Sequence, residues 1–163
     1  MLSLVGVSLH PVLAERLSTA LEPLPSMQMT QREARLPKLP GKVHAVIGMR
    51  RAGKTTYLRQ LLAARRSDDS PERSIYLSFD DDRLAGIAAD QLGFLLEEYF
   101  RRHPSFRGRH PVHWFLDEIQ FVPGWERFVR RAMDTERIEI VVSGSSAQML
   151  SREVRSEEHT SEL

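Results

Sequence analysis

The chain has 163 residues, 41% of them hydrophobic, which is enough to bury one core and form one domain. Its formal charge of +1 at pH 7 gives no support to a general polyanion binder, and the lack of cysteine excludes disulfides and thiolate metal sites. No stretch approaches the length of a membrane span, so we expect no membrane partner and a cytoplasmic location.

The N-terminal part of the sequence indicates a helix followed by a linker. Apolar spacing over residues 9–24 predicts one amphipathic helix. Residues 22–40 contain four prolines among polar residues, a composition typical of a connecting segment. We therefore expect residues 1–37 to form a helix and linker that precede a separate core.

A glycine-rich motif follows the first predicted strand, residues 43–47, and precedes a helix predicted over residues 54–65. It reads GMRRAGKT and matches GxxxxGK(S/T), the phosphate-binding loop (P-loop, or Walker A motif), whose backbone N–H groups and helix N-terminus hold phosphates. Lys54 is expected to reach the β- and γ-phosphates of a nucleotide, and Thr55 to offer its hydroxyl to Mg²⁺. The residues expected to bind the nucleotide are Gly48, Arg50, Arg51, Ala52, Gly53, Lys54, Thr55 and Thr56. The alternatives are an ordinary glycine turn and, for at least one of the two arginines, a side chain in solvent.

The second predicted strand, residues 74–79, leads into three consecutive acids. Asp80, Asp81 and Asp82 could orient a water molecule or pair with an arginine such as Arg83. Helix capping is the equal alternative for these acids. A long helix with one apolar face is predicted next, over residues 90–101.

Two adjacent carboxylates end the third predicted strand, residues 112–117. Because ligands bind at the carboxyl ends of strands in parallel sheets, Asp117 is interpreted as the Walker B acid that holds Mg²⁺, and Glu118 as the general base that polarises the attacking water. The alternative is that this pair only begins the next loop. A helix over residues 125–135 is predicted to follow.

The fourth predicted strand, residues 138–143, ends among serines. Ser145, or failing it Ser143 or Ser146, is a candidate sensor that hydrogen-bonds phosphate or the attacking water. A plain Ser/Gly turn is an equal alternative for each serine. The alternation of strands and helices predicts an α/β fold, with a parallel sheet covered by helices on both faces.

Together these segments resemble a known family. GMRRAGKTTYLRQLL, YLSFDD, FLDEIQFVPGWERFVRR and IVVSGSSAQMLSREV are similar to the bacterial and archaeal AAA-type ATPases whose P-loop domain precedes a C-terminal domain of unknown function. The resemblance covers about residues 38–155. It implies a P-loop NTPase domain over residues 38–154 with strand order 5-1-4-3-2, the cofactors ATP and Mg²⁺, and hydrolysis that depends on Gly53, Lys54, Thr55, Asp117 and Glu118.

Residues 155–163 have an unusual sequence. RSEEHTSEL is, codon by codon, the translation of a common sequencing adapter, AGATCGGAAGAGCACACGTCTGAACTC, so we interpret these nine residues as artefact and exclude them from fold reasoning. On this interpretation the natural protein continues beyond residue 154. We then expect strand 5 to be missing, strand 1 to be a bare edge, and the fragment to be weak or inactive as an ATPase.

The function expected from these features is ATP hydrolysis that drives or switches an unidentified protein or nucleic-acid partner, in an oligomer or a monomer. One alternative is a binding switch that holds ATP without hydrolysing it. A second is a DNA- or RNA-associated ATPase, for which a cluster of arginines and histidines around Phe106 is the candidate contact. A solvated loop is the plainer interpretation of that cluster.

Overall fold

The computed structural model describes residues 8–23, 43–47 and 53–145, and the backbone of residues 159–162. The helices are α1 (Pro11–Ala20), α2 (Lys54–Asp68), α3 (Ala89–Arg102) and α4 (Trp125–Thr135). The strands are β1 (His44–Ile47), β2 (Ser74–Ser78), β3 (Val112–Asp117), β4 (Ile138–Gly144) and β5 (His159–Glu162). The predicted linker lies mostly outside the described residues.

Helix α1 is shorter than predicted because its first turn is fixed by Pro11. Proline suits the first helical position, where its missing N–H has no intrahelical partner to lose. The His10 side chain caps this end by accepting a hydrogen bond from the Val12 N–H at 3.2 Å. The helix buries Leu13 and Leu17 completely, in the same apolar cluster as the sheet.

The five strands are parallel and lie in the order β2-β3-β4-β1-β5. The expectation that strand 5 is missing and β1 is a bare edge is wrong, because residues His44–Ile47 of β1 pair with His159–Glu162. Four of the nine residues that the sequence analysis excluded from fold reasoning therefore take part in the sheet. The physical reason is that an edge strand offers free N–H and C=O groups to any extended segment, whatever its side chains.

The two faces of the sheet bury different sets of side chains. Alternate residues of β1, β3 and β4, represented by Val46, Phe115 and Val141, face α2 in one cluster. The intervening residues, such as Trp114 and Ile140, join a larger cluster with α1, α3 and α4. This arrangement is the predicted α/β fold with helices on both faces, and it leaves the carboxyl ends of the strands open to solvent.

Candidate nucleotide-binding site

A cleft with a volume of about 540 Å³ lies at the carboxyl ends of the strands. It opens between the start of α2 and the ends of β2 and β3, the edge at which ligands bind in open α/β sheets. It is lined by Arg16, Gly53, Lys54, Thr55, Thr56, Arg59, Tyr76, Ser78, Asp80, Asp117 and Glu118. The structure thus brings the start of α2 and the predicted acid pair together in one cavity.

The start of α2 carries the cation of the site. Gly53 adopts φ +82°, a left-handed conformation in which a side chain would be strained, and the helix begins at the next residue. Lys54 is only 4% exposed, and its Nζ lies 3.3 Å from Glu118 Oε1. The other predicted loop residues, Gly48, Arg50, Arg51 and Ala52, lie outside the described residues.

Asp117 accepts hydrogen bonds from three side chains in the cleft. It ends β3 and is buried, and its Oδ2 accepts a hydrogen bond from Thr55 Oγ1 at 2.7 Å and another from Tyr76 Oη. Its Oδ1 accepts a hydrogen bond from Ser143 Oγ. Three hydroxyl groups, from α2, β2 and β4, therefore hold a single carboxylate.

The donor set of Thr55 and Asp117 fits Mg²⁺. Both offer oxygen atoms, and Mg²⁺ in nucleotide sites is bound by one or two protein oxygens together with water and phosphate. Over the described ranges, no group of three or more His, Cys, Asp or Glu side chains could hold a metal by itself. A metal site at Thr55 and Asp117 would therefore be completed by the phosphates of a ligand.

Glu118 has an unusual backbone. Its φ of 55° and ψ of 43° are left-handed, and it is the one residue other than glycine with positive φ in the described segments. Such a conformation is costly for a residue with a side chain and is found most often at functional sites. Gln120 Nε2 donates a hydrogen bond to Glu118 Oε2, and Lys54 approaches Oε1, so both carboxylate oxygens have partners.

The candidate serines differ in their contacts. Ser143, on β4, donates to Asp117 and accepts a hydrogen bond from the Glu118 N–H at 3.2 Å. Ser145 lies one residue past β4 and makes no hydrogen bond to either acid in the described region. Ser146 lies outside the described residues. The Ser143 hydroxyl thus supports the acid pair, and the sensor role of Ser145 stays a prediction.

Three of the four arginines in the cluster around Phe106 pair with acidic side chains. Arg101 and Arg102 pair with Glu98, and Arg107 pairs with Glu97 and Glu136. The Phe106 ring stacks on a neighbouring imidazole, with centroids 5.1 Å apart, and packs against the core. Paired guanidinium groups and an occupied ring leave this cluster poorly suited to bind nucleic acid.

The family model for the AAA domain matches residues 40–160, from the segment before the P-loop to the last strand. The chain belongs to the AAA domain family. Membership in this family indicates a P-loop fold and a nucleotide-binding function of the ATPase type.

Two relatives of this AAA domain are themselves uncharacterized proteins. One, from Methanocaldococcus jannaschii, is 34% identical over 134 residues, which are 82% of this chain and 28% of the relative. The other, from Haemophilus influenzae, is 29% identical over 114 residues, or 69% of this chain and 27% of the relative. The chain thus spans less than a third of the length of either protein.

A search of solved structures gives a similar arrangement in C. elegans PCH-2. The TM-score is 0.48 and the sequence identity is 11%, over 93% of this chain and 40% of that one. No helix in the described segments of the AAA domain is both long enough and apolar enough to cross a membrane.

Four residues that line or support the cleft received no role in the sequence analysis: Arg16, Arg59, Tyr76 and Gln120. Arg16 lies on α1, outside the predicted core, and its Nη2 lies 2.5 Å from Asp81 Oδ2. Arg83 also binds Asp81, and these two guanidinium groups hold the pKa of Asp81 far below its usual range. Asp81 therefore pairs with Arg83 and also caps the turn that follows, by accepting a hydrogen bond from the Arg83 N–H at 3.0 Å, so both alternatives of the sequence analysis hold for this residue. Through Arg16 it also connects α1 to the segment that follows β2.

Tyr76 contributes a phenol to the lining of the cleft. Burial, followed by its hydrogen bond to Asp117, raises the pKa of Tyr76 well above its ordinary value. The Arg59 guanidinium lies over the ring, 5.3 Å from its centroid. The only signal in the sequence is that Tyr76 occupies the same face of β2 as polar Ser74 and Ser78, which does not by itself identify a partner.

Proposed function

We propose that this AAA domain binds ATP with Mg²⁺ and hydrolyses it, with Glu118 as the general base. The observation that carries the proposal is the 2.7 Å contact between the hydroxyl of Thr55, directly after the P-loop lysine, and the carboxylate of Asp117 at the end of β3. This pair of oxygen ligands, beside Lys54 and Glu118 in one cleft, is the arrangement that phosphate-bound Mg²⁺ requires.

Each residue of the proposed site has a distinct task. Lys54 and the N-terminus of α2 attract the phosphates, and Gly53 allows the backbone to approach them closely. Thr55 and Asp117 would hold Mg²⁺, which neutralises charge on the phosphate oxygens when it is bound. Glu118 accepts a proton from the attacking water, and its own carboxylate is oriented by Gln120.

The proposal also covers the process that ATP hydrolysis would drive. ATP turnover would drive or switch a partner, and the pairing of Arg101, Arg102 and Arg107 with acids favours a protein partner over nucleic acid contact at that surface. The chain spans 28% of the Methanocaldococcus jannaschii relative, so the partner and the pathway stay proposals.

Two substitutions test binding and chemistry separately. Lys54→Ala should weaken binding of Mg²⁺·ATP by about 2–5 kcal/mol, because a buried charge-assisted contact is lost. Glu118→Gln should retain binding and lower turnover by about 10²-fold or more, since an amide cannot accept the proton. Calorimetry measures the first effect and phosphate release measures the second.

The ion pair between Arg65 and Glu139 supplies matched controls. Its atoms lie 2.9 Å apart at the opposite end of α2 and of the sheet. Arg65→Ala and Glu139→Gln therefore alter charge to the same extent without touching the cleft, and should leave binding and turnover unchanged.

Normal ATP affinity in Lys54→Ala would refute the binding site. Normal turnover in Glu118→Gln would refute the base, and binding without measurable turnover in the wild type would favour the non-hydrolysing switch.

A further inference from the structure

Tyr76 and Ser143 flank Asp117 from the two neighbouring strands. In the register of β2 and β3, Tyr76 lies opposite Phe115, two residues before Asp117 and on the same face of the sheet. Ser143 approaches from β4 on the other side. The carboxylate of Asp117 is therefore bound at Oδ2 by the phenol and at Oδ1 by the serine hydroxyl.

Of the three hydroxyl groups that bind Asp117, the Thr55 hydroxyl is the one expected to bind the metal as well. If Thr55 acts as a metal ligand, its oxygen lone pairs face the metal, and its contact with Asp117 no longer fixes the carboxylate alone. Tyr76 and Ser143 carry no such second task. They can hold the Asp117 side chain in one orientation whether or not Thr55 turns toward a metal.

Helix α2 also fixes the position of Tyr76. Arg59 follows Thr55 by four residues, so the two side chains lie on the same face of the helix. From there the Arg59 guanidinium covers the Tyr76 ring at 5.3 Å, a cation–π contact. Helix α2 thus carries the predicted metal ligand Thr55 and also contacts Tyr76, which binds the second predicted ligand, Asp117.

We propose that Tyr76 is a positioning residue for Mg²⁺, acting through its hydrogen bond to the metal ligand Asp117. This inference rests on the proposed function, because it concerns the metal of the same site. A residue that hydrogen-bonds to a metal ligand on the side away from the metal fixes the orientation of that ligand. Loss of such a residue typically lowers metal affinity by about 10- to 100-fold. In this role the phenol acts on Mg²⁺ through the Asp117 carboxylate.

The experiment compares two phenylalanine substitutions. Tyr76→Phe keeps the ring and the contact with Arg59 but removes the hydroxyl that binds Asp117. Tyr99→Phe is the matched control, since Tyr99 Oη donates an equivalent buried hydrogen bond to the Glu72 carbonyl at 2.7 Å, away from the cleft. Binding of a fluorescent ATP analogue is titrated with Mg²⁺ for each protein, and repeated in EDTA.

The expected result separates the metal from the nucleotide. In Tyr76→Phe, the Mg²⁺ concentration at half-saturation should rise by about 10-fold or more, while the affinity for the analogue in EDTA stays unchanged. In Tyr99→Phe both values should match the wild type, even though a comparable hydrogen bond is lost. In an Asp117→Asn background, Tyr76→Phe should have little further effect, because the phenol acts through that carboxylate.

Other outcomes overturn the inference. An unchanged Mg²⁺ midpoint in Tyr76→Phe, with normal Mg²⁺-dependent binding in the wild type, would refute the role of Tyr76 and leave the proposed function intact. Equal losses with and without Mg²⁺ would show a merely structural role. A wild-type protein that does not bind the analogue, or binds it independently of Mg²⁺, would instead refute the proposed function and the inference with it. Should Tyr76→Phe fail to fold, Ser143→Ala must raise the same midpoint, or the inference fails.

Discussion

Replacement of Glu118 by glutamine is expected to tighten nucleotide binding although it removes the proposed base. Lys54 Nζ lies 3.3 Å from Glu118 Oε1, so phosphate oxygens must compete with this carboxylate for the ammonium group. Once the phosphates are bound, the nearby carboxylate also repels them. Glutamine is similar in shape and removes both the competition and the repulsion.

The size of this effect follows from the separation and burial of the pair. At 3.3 Å and an effective dielectric constant of about 20, Coulomb's law gives a gross attraction of about 5 kcal/mol. The side chains of Lys54 and Glu118 are only 4% and 15% exposed, so the cost of removing them from water offsets most of this attraction. We expect a net gain of about 1–2 kcal/mol in binding free energy, or roughly a 5- to 30-fold lower Kd.

The assay is calorimetric titration with a non-hydrolysable ATP analogue in the presence of Mg²⁺, so that turnover does not interfere. Glu139→Gln is the control, because Glu139 also pairs with a cation but lies at the far end of the sheet. Its Kd should equal that of the wild type. A Glu118→Gln protein that binds the analogue no more tightly than the wild type would refute the argument that the carboxylate competes for Lys54.

Three further predictions concern the fold. Leu17→Ala should lower the free energy of unfolding by about 2–5 kcal/mol, because Leu17 is fully buried. The control is Thr19→Ala on the exposed side of α1, which should change the free energy of unfolding by less than about 0.5 kcal/mol. Equal denaturation midpoints for the two variants would place α1 outside the core. Deletion of residues 155–163 should expose the backbone of β1 and increase self-association, and light scattering that detects no change would refute this. Arg101 holds the pKa of Glu98 at about 2, below the ordinary 4.5, so this carboxylate stabilises the fold at neutral pH and its contribution is lost as pH falls from about 4.5 to 2. The stability difference between wild type and Glu98→Gln should therefore shrink over that range, and a difference independent of pH would contradict the assignment.

The sequence predicted β3 and α4 with their observed ends because local signals mark both boundaries. β3 is a continuous apolar run that ends at an acid, and α4 begins directly after a Pro-Gly pair. Helix α2 extends three residues beyond its predicted end, to Asp68, since polar residues remain compatible with a helix on an exposed face. The meeting of Thr55 with Asp117 was predictable because both follow strands of one parallel sheet.

The remaining features of the site depend on distances between strands. The contact between Ser143 and Asp117 depends on which residue of β4 lies beside that acid, and composition does not reveal this. The role of Tyr76 requires the register between β2 and β3. β5 has no apolar pattern to predict it, because its pairing with β1 is made by the backbone.

The position of Arg16 determines where a minimal fragment must begin. A fragment that starts just before the P-loop, at residue 38, would retain every sequence motif but lose α1. It would then lack a cation that lines the cleft and is one of the two arginine partners of Asp81, and it would lack two leucines that fill the core. The boundary that suits expression and crystallisation therefore lies before Pro11, well upstream of the first recognisable motif.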